Sequence, residues 1–320
     1  MSKESPVKGV IVSVNLSGEK GTSKTPVPEI HLNEKGITED AHAGEWHRQV
    51  SLLASESIER FGAAKARTFS PGDFAENITT RGIDLSSLAP FDRLISNSVV
   101  LEVTQIGKKC HGGSCAIFQQ VGECIMPREG IFCRVIRGGD VKAGDAITLQ
   151  RRTLCCRVVT LSDRASGGIY PDRSGPRACE LLKAFCEREG WEPRIAYDLL
   201  PDDAARLTET LAAARDAGEH IVITTGGTGI GPRDITPDVV AHLADKLIPG
   251  IMEYIRLTCG AGKPNALLSR SVAAVLGRTL VYTLPGSERA VEEYLSEITK
   301  TLSHALFMIN GLDIHGDKSV

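Results

Sequence analysis

The chain has 320 residues, which is long for a single compact domain and sufficient for two. Its 42% hydrophobic and 24% charged residues are typical of a soluble globular protein, and no apolar run approaches the roughly 20 residues that span a bilayer. A net charge of -3 gives no general electrostatic reason to expect a nucleic-acid partner. Residues 1–8 are polar and contain no hydrophobic signal segment, so we expect a cytoplasmic protein with no membrane partner.

The cysteines do not suggest disulfides or a structural metal. Their number, nine, is odd and no C-x-x-C pair occurs, so a disulfide framework is not expected in a chain of this kind. Cys110, His111 and Cys115 are residue types that bind zinc, but no fourth ligand at a suitable spacing completes the set.

The first half of the chain is predicted to be rich in β-structure. Short β-like runs, separated by glycine-rich turns, lie at residues 7–14, 99–105 and 131–136. Residues 51–61 carry the one pattern that strongly predicts a helix. Periodicity does not choose between a barrel-like domain and a folded sheet. The junction is predicted within residues 144–152, so the predicted domains are residues 1–152 and 153–320.

The second half alternates strands and helices. Strand-like runs lie at residues 154–161, 194–200, 220–225 and 279–284, and helical patterns lie at residues 174–188, from Asp202 or Asp203 to about residue 217, and after Ser287 to about residue 306. This order predicts an α/β domain with a doubly wound, mainly parallel sheet. Ligands of such sheets bind beyond the carboxyl ends of the strands, where several loops converge.

A glycine-rich loop is the strongest sign of a functional site. It reads TTGGTGIGPRDITPD and covers residues 224–238. Its glycines allow tight turns and close approach of a ligand, and Thr236-Pro237-Asp238 is predicted to start a helix with a hydroxyl cap. Backbone N–H groups at such a turn bind anions. Asp234 within the loop would repel bare phosphate, so we expect a metal-bound nucleotide or a reacting phosphate.

The loop matches none of the common phosphate-binding signatures. Pro232-Arg233 stands where a P-loop has its Lys-Ser/Thr pair, and the glycine spacing differs from that of dinucleotide-binding proteins. An ordinary tight turn is the alternative interpretation. Thr228, Arg233, Asp234 and the expected helix start favour a functional site.

Several segments of the second half resemble the MogA-like molybdopterin adenylyltransferase family. They are LSDRASGGIYPDRSG (161–175), LLPD (199–202), the glycine-rich loop, IPGIMEYIR (248–256), LLSR (267–270) and LPGS (284–287). The resemblance implies transfer of AMP from Mg-ATP to the terminal phosphate of molybdopterin, which gives adenylyl-molybdopterin and pyrophosphate. It also implies a homo-oligomer, a trimer, and metal insertion as the next step, which makes a molybdenum-insertion protein or molybdoenzymes possible partners.

The resemblance also assigns roles to individual residues. The aspartates that match Asp202 and Asp234 are the family's catalytic pair, and we expect the same two carboxylates to hold Mg²⁺. Their alternative roles are helix capping for Asp202 and an Asx-type turn for Asp234. The residues expected to hold phosphate or pterin are Gly226, Gly227, Thr228 and Gly229. The residues expected to line the same cleft, where turn formation also accounts for them, are Ser162, Asp163, Pro285 and Gly286.

Two other functions are compatible with these motifs. One is a non-catalytic molybdopterin-binding, storage or carrier protein. The other is a general nucleotide or phosphosugar enzyme, which would require that molybdopterin does not bind. Both Asp202 and Asp234 are present, and a binding module would not need two anions facing a polyphosphate, so the enzyme is favoured.

Segments of the first half resemble the MOSC family, which is related to the C-terminal domain of molybdenum cofactor sulfurases. They are KGTSK (20–24), GITEDAHAGEWHRQVSLL (36–53), GDFAENITTRGIDL (72–85) and LEVTQIGKKCH (101–111). The resemblance implies a β-rich fold that binds molybdenum cofactor or a related pterin, with a cysteine at the position of Cys110. Neighbouring Lys108 and Lys109 would favour its reactive thiolate, and an inert buried cysteine is the alternative.

Other residues of the first half are candidate ligand contacts. His42, His47 and Arg48 are expected to meet a phosphate tail, or else to be surface residues near a turn. Glu76 and Asn77 are expected to orient the ligand, or else to satisfy buried backbone groups. The alternative roles of the Cys110 thiolate are to carry sulfur or to ligate molybdenum. Another activity that the resemblance allows for this half is reduction of N-hydroxylated compounds. The two halves together predict a bifunctional protein of molybdenum cofactor synthesis.

Overall fold

The computed structural model describes residues 7–108, residue 118 and residues 123–312. The chain divides between Arg152 and Thr153 into two compact units, here called the N-terminal unit and the C-terminal unit. Among the helices of the described ranges, none combines the length and the apolar character that crossing a membrane requires.

The N-terminal unit consists mainly of strands. They are β1 Lys8–Leu16, β2 Thr25–Val27, β3 Glu29–Asn33, β4 Gly36–Ile37, β5 Val50–Ala54, β6 Ile78–Arg81, β7 Arg93–Ser96, β8 Val99–Ile106, β9 Ile131–Arg137, β10 Gly139–Lys142 and β11 Ala146–Gln150. The described helical segments are α1 Ser55–Lys65, a 3-10 helix at Leu85–Ser87 and α2 Met126–Glu129.

Seven of these strands form a closed barrel. Their order is β11-β7-β8-β9-β5-β6-β1, and β1 pairs with β11 to close it, while β2 extends the sheet from β1. Strands β10, β3 and β4 form a separate small sheet. Inside, an apolar core is built from alternate strand residues such as Val14, Leu52 and Leu101, each at most 2% exposed. The prediction of a β-rich, barrel-like domain is confirmed.

The predicted helix at residues 51–61 begins too early. Residues 51–54 belong to β5, which pairs with β6 and β9 and is buried along its whole length. Helix α1 follows this strand directly, from an N-cap at Ala54 that has no side-chain hydrogen bond. Because the strand runs into the helix without a polar cap, the local sequence carries no signal for the boundary.

The C-terminal unit alternates strands and helices. Its strands are β12 Thr153–Leu161, β13 Glu192–Leu200, β14 Ile221–Thr225, β15 Lys246–Leu247, β16 Ala273–Leu276 and β17 Thr279–Leu284. Its helices are α3 Asp163–Ser166, α4 Ser174–Arg188, α5 Ala204–Asp216, α6 Thr236–Leu243, α7 Pro249–Gly262, a 3-10 helix at Pro264–Leu268 and α8 Glu288–Ile309.

One six-stranded sheet lies at the centre of this unit, in the order β13-β12-β14-β17-β16-β15. The first four strands are parallel, and the last two join antiparallel. Helices α5 and α6 bury Leu207, Leu211 and Val240 against apolar residues of the sheet. Helix α4 packs against α8. The prediction of a doubly wound, mainly parallel sheet is confirmed.

Candidate functional site

Four loops of the C-terminal unit begin side by side at the carboxyl edge of the sheet. Leu161 of β12 pairs with Leu200 of β13, and Thr225 of β14 pairs with both Thr160 and Leu284 of β17. The loops that follow these strands therefore leave the sheet at one place. Such an edge is where ligands of open α/β sheets bind.

The glycine-rich loop turns back sharply after β14. Gly226 and Gly227 have φ angles of 94° and 62°, a region that residues with a Cβ adopt at a cost. A Cβ on Gly226 would lie 2.2 Å from the carbonyl oxygen of Leu161, and one on Gly227 would lie 2.6 Å from Oγ1 of Thr236. Both positions require glycine because the loop lies against β12 and the start of α6.

The predicted hydroxyl cap of α6 is wrong. Helix α6 begins at Thr236 and its N-cap is Ile235, which makes no side-chain cap. Oγ1 of the fully buried Thr236 instead donates to the carbonyl oxygen of Gly226 at 2.9 Å. The hydroxyl thus fastens the glycine turn to the helix, a contact that sequence spacing alone does not distinguish from a cap.

Asp202 lies opposite Asp163 across the ends of β12 and β13. The Asp163 N–H donates to Oδ2 of Asp202 at 3.1 Å, and the Asp202 N–H donates to Oδ1 of Asp163 at 3.0 Å. Arg233 of the glycine-rich loop forms an ion pair with Oδ2 of Asp163. The capping role belongs to Asp203, whose side chain accepts from the N–H groups of Ala205 and Arg206.

The carboxylate of Asp234 folds back onto the glycine-rich loop to which this residue belongs. Its Oδ2 accepts a hydrogen bond from the Gly231 N–H at 2.7 Å, and a Cβ on Gly229 would lie 2.7 Å from the same oxygen. This bond runs to a residue earlier in the chain, whereas an Asx turn joins a residue two positions later. Among the described residues, Oδ1 of Asp202 and Oδ1 of Asp234 accept no hydrogen bond.

Two clefts meet at this loop. The first cleft has a volume of about 880 Å³, and the second cleft has a volume of about 450 Å³. Of the residues predicted from the sequence, the first cleft is lined by Ser162, Asp163, Asp202, Gly226, Gly227, Asp234 and Gly286. The second is lined by Gly227, Thr228, Gly229, Asp234, Pro285 and Gly286. Asp202 and Asp234 thus both line the first cleft, and Asp234 also lines the second cleft.

Asp172 is a residue of the first cleft that the sequence reasoning missed. Its Oδ2 accepts hydrogen bonds from Oγ1 of Thr160 and the hydroxyl of Tyr197, both at 2.7 Å, and from the Gly175 N–H at 3.0 Å. Burial would raise the pKa of Asp172, but these hydrogen bonds outweigh it and lower the pKa. Burial and the bond to Asp172 raise the pKa of Tyr197 to about 12. Asp172 therefore ties the loop before α4 to the sheet edge.

Cations also line the first cleft. The Arg173 side chain makes no hydrogen bond or ion pair with any described residue, and the guanidinium of Arg164 lies 5.3 Å from the ring centre of Tyr170. Both guanidinium groups retain donors for an anion, and the planar guanidinium suits phosphate. The described residues contain no group of three or more His, Cys, Asp or Glu side chains able to hold a metal. A divalent cation on Asp202 and Asp234 would therefore take water or other oxygens as its remaining ligands.

In the N-terminal unit, two of the predicted residues meet at a buried carboxylate. Asp40 forms an ion pair with Lys24, accepts from the His42 N–H at 2.9 Å and accepts from Nδ2 of Asn77 at 2.9 Å. Burial raises the pKa of the Asp40 carboxyl, but hydrogen bonds from His42 and Lys24 outweigh it and hold the pKa well below its usual range. Burial lowers the pKa of Lys24 despite its partner. Sequence reasoning had not singled out Lys24 or Asp40.

Glu76 is buried beside this cluster. Its Oε1 accepts from the Gly72 N–H at 2.7 Å and from Oγ1 of Thr79 at 2.9 Å, and its Oε2 is buried without a hydrogen bond. Burial raises its pKa. Oδ1 of Asn77 accepts hydrogen bonds from the backbone N–H and the hydroxyl of Ser51. Asn77 therefore satisfies a buried backbone group, as its alternative role required.

Arg48 and Cys110 are further predicted positions of this unit. The guanidinium of Arg48 lies 5.0 Å from the ring centre of Trp46. Cys110, like His111 and Cys115, falls outside the described residues.

Comparison with known proteins places each half of the chain. Residues 157–304 match the family model described as a probable molybdopterin binding domain, and residues 39–148 match the MOSC domain. The molybdopterin adenylyltransferase of Haemophilus influenzae is 34% identical over 171 residues, which cover 49% of this chain and 85% of the relative. The Escherichia coli K12 protein of the same name is 37% identical over 148 residues, which cover 46% and 74%.

Two further matches differ in how much of the relative they cover. Gephyrin of Dictyostelium discoideum is 33% identical over 158 residues, which cover 48% of this chain and only 22% of gephyrin. The crystal structure of the molybdopterin biosynthesis enzyme MoaB from Thermus thermophilus is 34% identical, with a TM-score of 0.45, and the match covers 49% of this chain and 97% of that one. The chain belongs to the molybdopterin adenylyltransferase family through its C-terminal unit, and it carries a MOSC domain in its N-terminal unit.

Proposed function

We propose that the C-terminal unit adenylylates molybdopterin. A terminal phosphate oxygen of molybdopterin attacks the α-phosphorus of ATP, a new P–O bond forms, and the bond to pyrophosphate breaks. The observation that carries the proposal is that Asp202, Asp234 and the glycine-rich loop line one cleft at the carboxyl edge of the sheet. Relatives named molybdopterin adenylyltransferase over the same residues support it.

The donor set fits Mg²⁺. Oδ1 of Asp202 and Oδ1 of Asp234 accept no hydrogen bond among the described residues, so each is available as a ligand. Magnesium typically takes one or two carboxylates together with substrate phosphates and water. When bound, it would neutralise charge on the phosphates that react.

The chain itself would supply orientation and charge. The glycine turn leaves its backbone close to a ligand, and Asp163 fixes the Asp202 backbone through the reciprocal hydrogen bonds. Arg173 and Arg164 line the first cleft and would take phosphate oxygens. No strong base is needed, because the attacking phosphate is already anionic and such transfers depend mainly on positioning and electrostatics.

The test is release of pyrophosphate by the full chain given molybdopterin and Mg-ATP. Asp234→Asn is expected to lower the rate by more than about a hundredfold, as removal of an electrostatic catalytic group does, and to leave molybdopterin binding intact. Asp203→Asn is the matched control, since asparagine caps a helix as well as aspartate and activity should persist.

Full activity of Asp234→Asn would refute the assignment of this residue. If the unmodified chain binds molybdopterin tightly but releases no pyrophosphate, the protein is a binding, storage or carrier protein. If it does not bind molybdopterin at all, the third function, a general nucleotide or phosphosugar enzyme, is favoured.

For the N-terminal unit we propose binding or modification of the pterin product or the mature molybdenum cofactor. The match to the MOSC domain supports this, together with the polar cluster of Lys24, Asp40, His42 and Asn77. Contacts to the ligand from His42, Arg48, Glu76 and Asn77 stay predictions, as does the role of Cys110. The trimer and the transfer of product to a molybdenum-insertion protein also stay predictions.

A further inference from the structure

Arg270 contacts the glycine-rich loop from outside both clefts. It follows the 3-10 helix Pro264–Leu268 and lines neither cleft. Its backbone N–H donates to the carbonyl oxygen of Thr228 at 2.8 Å. Nε donates to the carbonyl oxygen of Gly229 at 2.7 Å, and Nη2 donates to that of Asp234. One planar group therefore joins the start of the segment 229–234 to its end.

The same guanidinium is held in place by α6. Nη1 donates to Oδ1 of Asp238 at 2.8 Å, and Nη2 donates to Oδ2 at 3.0 Å. Such a two-point bond fixes the plane of the guanidinium as well as its position. A lysine ammonium is a single point charge and cannot reproduce this set of contacts.

The segment that Arg270 closes also determines where the Asp234 carboxylate lies. A Cβ on Gly229 or on Gly231 would lie 2.7 Å or 3.0 Å from Oδ2 of Asp234, and the Gly231 N–H donates to the same oxygen. The carboxylate thus rests directly on the loop. A change in the path of the loop would move it.

We infer that Arg270 is a positioning residue for adenylyl transfer, because it fixes the path of the loop that carries Asp234. The inference rests on the proposed function, because the role of Asp234 does. The side chains of Arg270 and Asp238 are 38% and 66% exposed, and exposed ion pairs contribute little to folding. Loss of the ion pair by itself is therefore expected to cost little stability.

Arg270→Lys in the full chain tests this inference. We expect kcat to fall about 10- to 100-fold, as small misplacements of catalytic groups cause. The Mg²⁺ concentration for half-maximal rate should rise about tenfold, as it does when a residue that orients a metal ligand is lost. The KM for molybdopterin should stay within about twofold, since Arg270 lines neither cleft. Arg177→Gln is the control, because Arg177 is similarly exposed and ion-paired but joins α4 to α8.

Unchanged kcat and unchanged Mg²⁺ dependence in Arg270→Lys would overturn the inference, and so would a change in the KM for molybdopterin alone. If that variant does not fold, Asp238→Asn decides: the same shift in Mg²⁺ dependence supports the inference and no shift overturns it. If the unmodified chain transfers no AMP, the proposed function has failed separately. Amide hydrogen exchange of residues 228–234 then tests the loop alone, and exchange that is no faster in Arg270→Lys rejects the role of Arg270.

Discussion

Replacement of Gly226 by alanine is expected to destabilise the C-terminal unit strongly. The φ angle of 94° lies where a residue with a Cβ is disfavoured by about 1–2 kcal/mol. The added Cβ would also lie 2.2 Å from the carbonyl oxygen of Leu161, the last residue of the buried strand β12. Relief of such crowding in a packed region typically costs a further 1–3 kcal/mol or so. The expected loss is therefore about 2–5 kcal/mol.

Gly168→Ala separates the two contributions. Gly168 has a φ angle of 75°, and an added Cβ there would meet nothing within 4 Å. This variant should lose only the conformational part, about 1–2 kcal/mol. The difference between the variants measures the clash with Leu161.

Urea unfolding with tryptophan fluorescence is the assay. The chain has two tryptophans, so a Trp46→Phe background leaves only Trp191, which is 3% exposed within the C-terminal unit. An unchanged denaturant slope would show that the variants alter stability rather than the surface exposed on unfolding. Equal losses for Gly226→Ala and Gly168→Ala would refute the steric argument, because only Gly226 has a neighbour to meet.

Two other predictions concern the loop before α4 and the N-terminal unit. Because hydrogen bonds lower the pKa of Asp172 in the folded state, its contribution to stability is present above the unfolded pKa of about 3.9 and is lost as the pH falls through the lower folded value. Asp172→Asn should therefore flatten acid unfolding of the C-terminal unit below about pH 4, and an unaltered acid profile would contradict this. The full chain is expected to retain a molybdenum pterin that Cys110→Ser loses, as measured by metal analysis after gel filtration, and equal retention by both would argue against ligation by Cys110.

Local patterns in the sequence were sufficient for some of the elements around the site. Helix α4 and strand β17 have the predicted bounds, because α4 has an apolar face with Gly190 soon after its end, and β17 is a short run that stops at Pro285. The glycine-rich loop was predictable from its glycines, since the positive φ angles of Gly226 and Gly227 favour that residue.

Contacts between distant residues were not predictable in this way. Arg270 reaches a loop more than thirty positions earlier, and Lys24 forms a buried ion pair with Asp40. Neither pairing follows from spacing, because it depends on how the units fold. Asp172 is different: it precedes Ser174 and Gly175 at the start of α4, and both N–H groups bond to its carboxylate. An aspartate just before a predicted helix start was a readable signal for that anchor.

The outermost parallel strand of the C-terminal unit has a consequence for association. An edge strand exposes backbone groups to which another chain can add a strand. Strand β13 begins Glu192-Pro193-Arg194, where proline has no N–H to donate and the two flanking charged side chains would lose water if an added strand covered them. Growth of the sheet from one molecule into the next is therefore disfavoured along this stretch, which leaves side-chain surfaces, rather than added strands, for contacts made there.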